Sequence, residues 1–94
     1  MDTLTMHVIV YVPASDSDAK SERLSACMRG IGSHWHQVRG VWLVESTLKG
    51  QEIYECLRSL LEPEDRLLIS KLEDDAVWQG FDWSGSEWLR RKLK

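Results

Sequence analysis

The sequence predicts an α+β domain of the ferredoxin-like class. Its elements run β-α-β-β-α-β, giving a four-stranded antiparallel sheet with two helices on one face and a C-terminal helical segment. Three observations carry that expectation. Along "MHVIVYV" (6–12) β-branched residues dominate and Val8, Val10 and Val12 alternate with His7, Ile9 and Tyr11, the pattern of a strand with both faces partly buried. Two further stretches repeat apolar residues at helical spacing. Between them, the pair Arg39-Gly40 separates two runs of strand character, "GSHWHQV" and "VWLVES".

Taken in order, Pro13 ends the first strand and "ASDSDAKSE" supplies capping residues. Leu24, Cys27, Met28 and Ile31 then fall at i, i+3, i+4 and i+7, which predicts a helix from about Asp18 to Arg29 that stops at Gly30 or Gly32. If Arg39-Gly40 forms a two-residue turn, Val38 pairs with Val41, His36 with Leu43 and His34 with Glu45. Trp35, Gln37, Trp42 and Val44 would then share the opposite face. Ile53, Leu57, Leu60 and Leu61 mark the second helix within "GQEIYECLRSLL", closed by Pro63, and "DRLLISKL" reads as the fourth strand. The ferredoxin-like domain is expected over residues 1–75. Residues 76–94 form a C-terminal segment with a short basic amphipathic helix from about Ser86, its expected cap, to Lys92.

Ninety-four residues make one domain near the lower end of what buries a self-sufficient core, so help from a partner chain is expected. No apolar run approaches the roughly 20 residues that span a bilayer, and the start of the chain lacks the basic stretch of a signal peptide. A cytoplasmic protein without a membrane partner is the expectation. The formal charge of −3 is unevenly spread: "RRKLK" holds four of the 12 cations, which leaves eight against 15 anions, about −7, on residues 1–89. An acidic body argues against a broad phosphate-binding surface. The cationic end, Arg90, Arg91, Lys92 and Lys94, either docks through Trp88 and Leu89 on the acidic body, its own or a dimer partner's, or serves as a basic arm for nucleic acid or an acidic partner.

The chemistry-bearing residues are few. Cys27 and Cys56 sit among apolar residues at helical spacing and read as reduced thiols. His34 and His36 lie on one side of the hairpin's first strand and His7 on strand one, which in this motif is central and adjacent to the hairpin's second strand; the three histidines read as sheet residues rather than a zinc site, which needs three or four converging ligands. Asp16 and Asp18 follow the first strand and Glu73, Asp74 and Asp75 the fourth. Two acidic loops could approach a hard cation such as magnesium, a cofactor expected only if the protein is a nuclease. Five tryptophans are dense for this length. Trp35, Trp42 and Val44, with Trp78 and Trp88, are the candidate dimer or partner interface.

"GSHWHQVRGVWLVES" and "EIYECLRSLLEPEDRLLISKL" together resemble the SinR-like family of small bacterial proteins, themselves similar to the small CRISPR-associated adaptation protein, the Cas-two family. The resemblance spans about residues 6 to 75. It rests on the ordered set Gly32, Trp35, His36, Trp42 to Val44, Glu52-Ile53 and Asp65 to Leu68. It implies a ferredoxin-like fold and a homodimer whose sheet faces meet. It also implies a Tyr-Asp pair ending strand one, whose aspartate holds a divalent cation for phosphodiester cleavage. This chain has Tyr11-Val12, and valine offers no oxygen ligand. The expected function is therefore a dimeric interaction or regulatory protein without that chemistry, in a defence or mobile-element setting. Two alternatives stand beside it: a metal-dependent endonuclease of RNA or DNA using Asp16 or Asp18, and an acidic, phage-type inhibitor that occupies a nucleic-acid site on a host protein.

Overall fold

The computed structural model describes residues 3–15, 17–73 and 75–93. Its strands are β1 (Thr5–Val12), β2 (Ser33–Val38), β3 (Val41–Ser46) and β4 (Arg66–Lys71), and its helices are α1 (Asp18–Ile31), α2 (Gly50–Leu57) and α3 (Trp83–Lys92). A 3₁₀ turn, Arg58–Leu60, follows α2. The sheet order is β2-β3-β1-β4 with antiparallel neighbours, the ferredoxin-like arrangement predicted from the element order. Among the described residues no helix is long and apolar enough to cross a membrane.

Local chemistry explains the boundaries. Ser17 caps α1 by accepting from the Lys20 N–H, and α1 continues two residues beyond the expected Arg29 to Ile31. At Gly32 the chain passes so close to β3 that a Cβ would lie 2.1 Å from the Glu45 carbonyl oxygen, so only glycine fits. Gly40, with φ +80°, makes the β2–β3 turn, and its carbonyl accepts from the Tyr11 N–H. Helix α3 begins at Trp83, earlier than expected, because Asp82 rather than Ser86 caps it: Asp82 Oδ1 accepts from the Gly85 N–H at 2.7 Å.

Each face of the sheet carries its own core. On one face Ile9, Tyr11, Trp42 and Val44 pack against Leu24, Met28 and Ile31 of α1 and Ile53 and Leu57 of α2. On the other, Met6, Trp35 and Leu43 are covered by Leu89 and Leu93 of the C-terminal segment, with Leu72, Trp78, Phe81 and Trp88 around them. The basic helix is thus docked on its own chain. Lys92 pairs with Glu45 at 2.8 Å, which ties α3 to β3.

The hairpin corrects one expectation. Val38 does pair with Val41, but Trp35 then pairs with Leu43, His34 with Val44 and Ser33 with Glu45, because β2 carries an irregularity between Trp35 and Val38. One extra residue reverses which side chains point where. Trp35 and Trp42 therefore lie on opposite faces, not on one. His36 supplies the reason: its Nδ1 reaches the Val41 carbonyl at 2.9 Å and its ring stacks on Trp42 at 4.0 Å with 2° between the planes. Trp35, freed to the other face, donates from Nε1 to the Gly85 carbonyl at 3.1 Å and meets Phe81 edge-on.

Candidate functional site

A cleft of about 660 Å³ opens where β1 ends, between the first turns of α1 and the β2–β3 turn. Ser17, Ser21 and Ser25 recur every fourth residue along the α1 wall. His36, Arg39 and Trp42 form the opposite wall. Tyr11 and Lys20, which also line the cleft, belong to a largely buried polar cluster. Tyr11, on the helix-bearing face of β1, donates its hydroxyl to Asp65 Oδ2 at 2.5 Å; Lys20, in the first turns of α1, gives its Nζ to the same oxygen at 2.6 Å and to Glu62 Oε1 at 3.2 Å. The backbone N–H groups of Ala14 and Glu62 donate to Asp65 Oδ1 at 2.7 Å and Oδ2 at 3.0 Å.

Four donors on one carboxylate set its electrostatics. The Asp65 side chain is 1% exposed and that of Lys20 8%. Burial by itself pushes the Asp65 carboxyl up, but the hydrogen bonds from Lys20, Tyr11, Ala14 and Glu62 together outweigh it and hold it well below the usual carboxylate range. The same contact with Asp65 holds the Lys20 ammonium well above its ordinary value, against the effect of burial. Burial and the bond to Asp65 raise Tyr11. The cluster fastens three segments to one another: the loop after β1, the start of α1 and the loop before β4. Three of these donors converge on Oδ2 and one on Oδ1, and the Lys20 ammonium already supplies the counter-charge that a buried carboxylate needs.

Residues singled out from the sequence are dispersed. His7 and His34 both stand opposite Val44, one on each neighbouring strand, so the Val44 side chain separates them, while His36 is turned onto Trp42. Among the described residues no group of three or more His, Cys, Asp and Glu side chains gathers as a metal site would need. His7 is buried, its Nδ1 has no hydrogen-bond partner among the described residues, and burial followed by the Lys71 charge lowers its pKa. Burial, then Arg29 and His36, lowers His34. Asp18 is exposed at the start of α1 and lines the cleft, whereas Asp16, Asp74 and Lys94 lie outside the described residues.

The proposed interface residues divide as well. Trp35, Trp42 and Val44 are buried within the chain's own two cores, and only Trp78 and Trp88 remain partly accessible. Trp88 Nε1 donates to Ser33 Oγ at 3.2 Å. Arg90 pairs with Glu87 and Lys92 with Glu45, which removes part of the tail's free positive charge.

Sequence reasoning missed Lys20 and Asp65 as partners. A signal was present for Lys20: it precedes Leu24 and Met28 by four and eight residues, so it sits on the buried stripe of α1 where a lysine needs a counter-charge. Nothing in the sequence says that the counter-charge lies 45 residues away. Comparison with family models, with curated proteins and with solved structures returns no match.

Proposed function

We propose that this is a small, non-catalytic interaction protein that acts as a homodimer on its ferredoxin-like scaffold, in the defence or mobile-element setting that the resemblance implies. One observation carries the reading: α3 covers only part of the open sheet face. Val10 stands in register with Val41 on β3 and Leu68 on β4, and Val12 follows on the same side of β1. Val12 is 50% exposed and Leu68 58%. This apolar strip crosses β3, β1 and β4 near the end of the sheet where β1 finishes, and a two-fold copy offers it a matching surface.

The absence of catalysis in this reading rests on the donor set at the end of β1. Where the resemblance implies an aspartate ligand stands Val12, and the neighbouring Asp65 is buried and already paired with the Lys20 ammonium, the Tyr11 hydroxyl and two backbone N–H groups. Ion pairs within α3 and to β3 weigh against the tail as a nucleic-acid arm. Sedimentation velocity at micromolar concentration tests the proposal. The expected mass is about twice the 10.9 kDa chain, reduced to one chain in Val12→Glu or Leu68→Glu with an unchanged circular dichroism spectrum. A wild-type protein that sediments as a single chain refutes it. Cleavage of labelled RNA or DNA with magnesium or manganese, lost in Asp18→Ala, would replace it with the nuclease reading.

A further inference from the structure

We propose that Cys27 and Cys56 form a reversible intrachain disulfide that locks α1 to α2. Cys27 lies in α1, partly buried against the helix-side core, and Cys56 in the last turn of α2, exposed; both are free thiols. The Cys27 thiol points at the partner residue, with Sγ 3.5 Å from the Cys56 carbonyl oxygen. From that oxygen the Cys56 Cα is two bonds away, so the sulfur is no more than about 6.3 Å from it by standard bond lengths. The contact sets the two residues side by side on neighbouring helices, and a disulfide, whose Cα atoms lie roughly 4.4–6.8 Å apart, requires the exposed Cys56 side chain to turn toward the Cys27 sulfur. These two thiols are on the helix side of the sheet, opposite the apolar strip, so the inference stands apart from the dimer proposal.

The two thiols differ in a way that orders the chemistry. Burial, then the neighbouring Cys56, pushes the Cys27 thiol up, which leaves it the less reactive of the pair, while Cys56 faces solvent. With hydrogen peroxide as oxidant, the Cys56 thiolate attacks one peroxide oxygen and the O–O bond breaks. Cys56 becomes a sulfenic acid, and the departing hydroxide takes up the thiol's proton as water. Cys27 sulfur then attacks the Cys56 sulfur; the S–OH bond breaks and a second water leaves with the Cys27 proton. Two thiols lose two electrons in all, and one peroxide is reduced to two waters. A dithiol reductant reverses the link by exchange.

The link would join helices held to each other mainly by side-chain packing on one core, and α2 is only eight residues long. Closing the chain between residues 27 and 56 restricts the unfolded state.

The test uses the full chain, native and dilute, titrated with hydrogen peroxide. Free thiols are counted with an aromatic disulfide reagent, and non-reduced peptides are mapped by mass spectrometry. Both thiols should disappear together, with one Cys27–Cys56 cross-linked peptide and a melting temperature about 10 °C above the reduced form. Cys27→Ser should strand Cys56 as a sulfenic acid that dimedone traps, and Cys56→Ser should leave Cys27 unoxidised at the same dose. Loss of Cys56 with Cys27 still titratable, or an interchain Cys56–Cys56 bond in place of the intrachain one, would overturn the proposal.

Discussion

Asp65→Ala should be among the most damaging single changes to this domain. The substitution removes an acceptor from four donors at once: the Tyr11 hydroxyl, the Lys20 ammonium and the N–H groups of Ala14 and Glu62. Lys20 would keep only Glu62, a carboxylate 58% exposed at its side chain, as a counter-charge in a setting where its own side chain is 8% exposed. Removing one member of a buried pair typically costs about 3–5 kcal/mol. A chain of 94 residues has a total stability of roughly 5–14 kcal/mol, so the variant should lose at least about a fifth of it. Lys20→Met is the informative companion. It keeps the packed stem and leaves Asp65 with Tyr11 and two backbone donors, so about 1–3 kcal/mol is expected.

Urea unfolding of wild type, both single variants and the double variant at pH 7 gives these numbers and the coupling between the two side chains. The pH dependence adds a sign. The folded Asp65 pKa lies below its unfolded value near 3.8, so its contribution is present above that pH and is lost as pH falls through and below it toward the folded value. The stability difference between wild type and Asp65→Ala should therefore shrink on going from pH 7 to pH 2. An Asp65→Ala variant within about 0.5 kcal/mol of wild type at pH 7, the range of ordinary surface changes, would refute the claim that this cluster holds the β1, α1 and β4 ends together.

Trp42→Ala should cost about 3–5 kcal/mol because the ring is buried beneath the helices and also loses the His36 stack, while His34→Ala on the edge strand should stay within about 0.5 kcal/mol in the same melts. His7 should give the domain an acid-side weakness. With its folded pKa lowered, it is neutral in both states well above 6.5 and contributes no pH dependence there, but below 6.5 the unfolded chain binds the proton more readily and stability falls. His7→Leu should flatten the loss between pH 7 and pH 5 in thermal melts, and an unchanged slope would show that other groups cause it. Gly32→Ala should lower the melting temperature by several degrees, since a Cβ there collides with the Glu45 carbonyl, a backbone atom that cannot swing away; an unchanged melt would mean the α1–β2 turn can shift.

What the sequence determined by itself was the list of elements and their order. Alternating valines along β1 and the stripe of Leu24, Met28 and Ile31 on α1 are local patterns, set by periods of two and 3.6 residues, and they hold wherever the segment sits. Because short connections and antiparallel hairpins leave few ways to combine such elements, the sheet order followed as well. The tertiary structure decided the rest. A histidine side chain that reaches a neighbouring strand's carbonyl shifts β2 by one residue and sends Trp35 to the opposite face from Trp42, an outcome decided by competition between two packings of the same local pattern. The bond between Lys20 and Asp65 depends on where two distant loops meet, and a buried charge announces only that it needs a partner, not which one. Likewise the apolar and basic character of α3 called for a docking surface, and only the folded sheet, which brings Met6, Trp35 and Leu43 together on one face, could supply it. Periodicity is a property of neighbouring residues, whereas register, ion pairing and docking are settled by contacts between segments far apart in the chain.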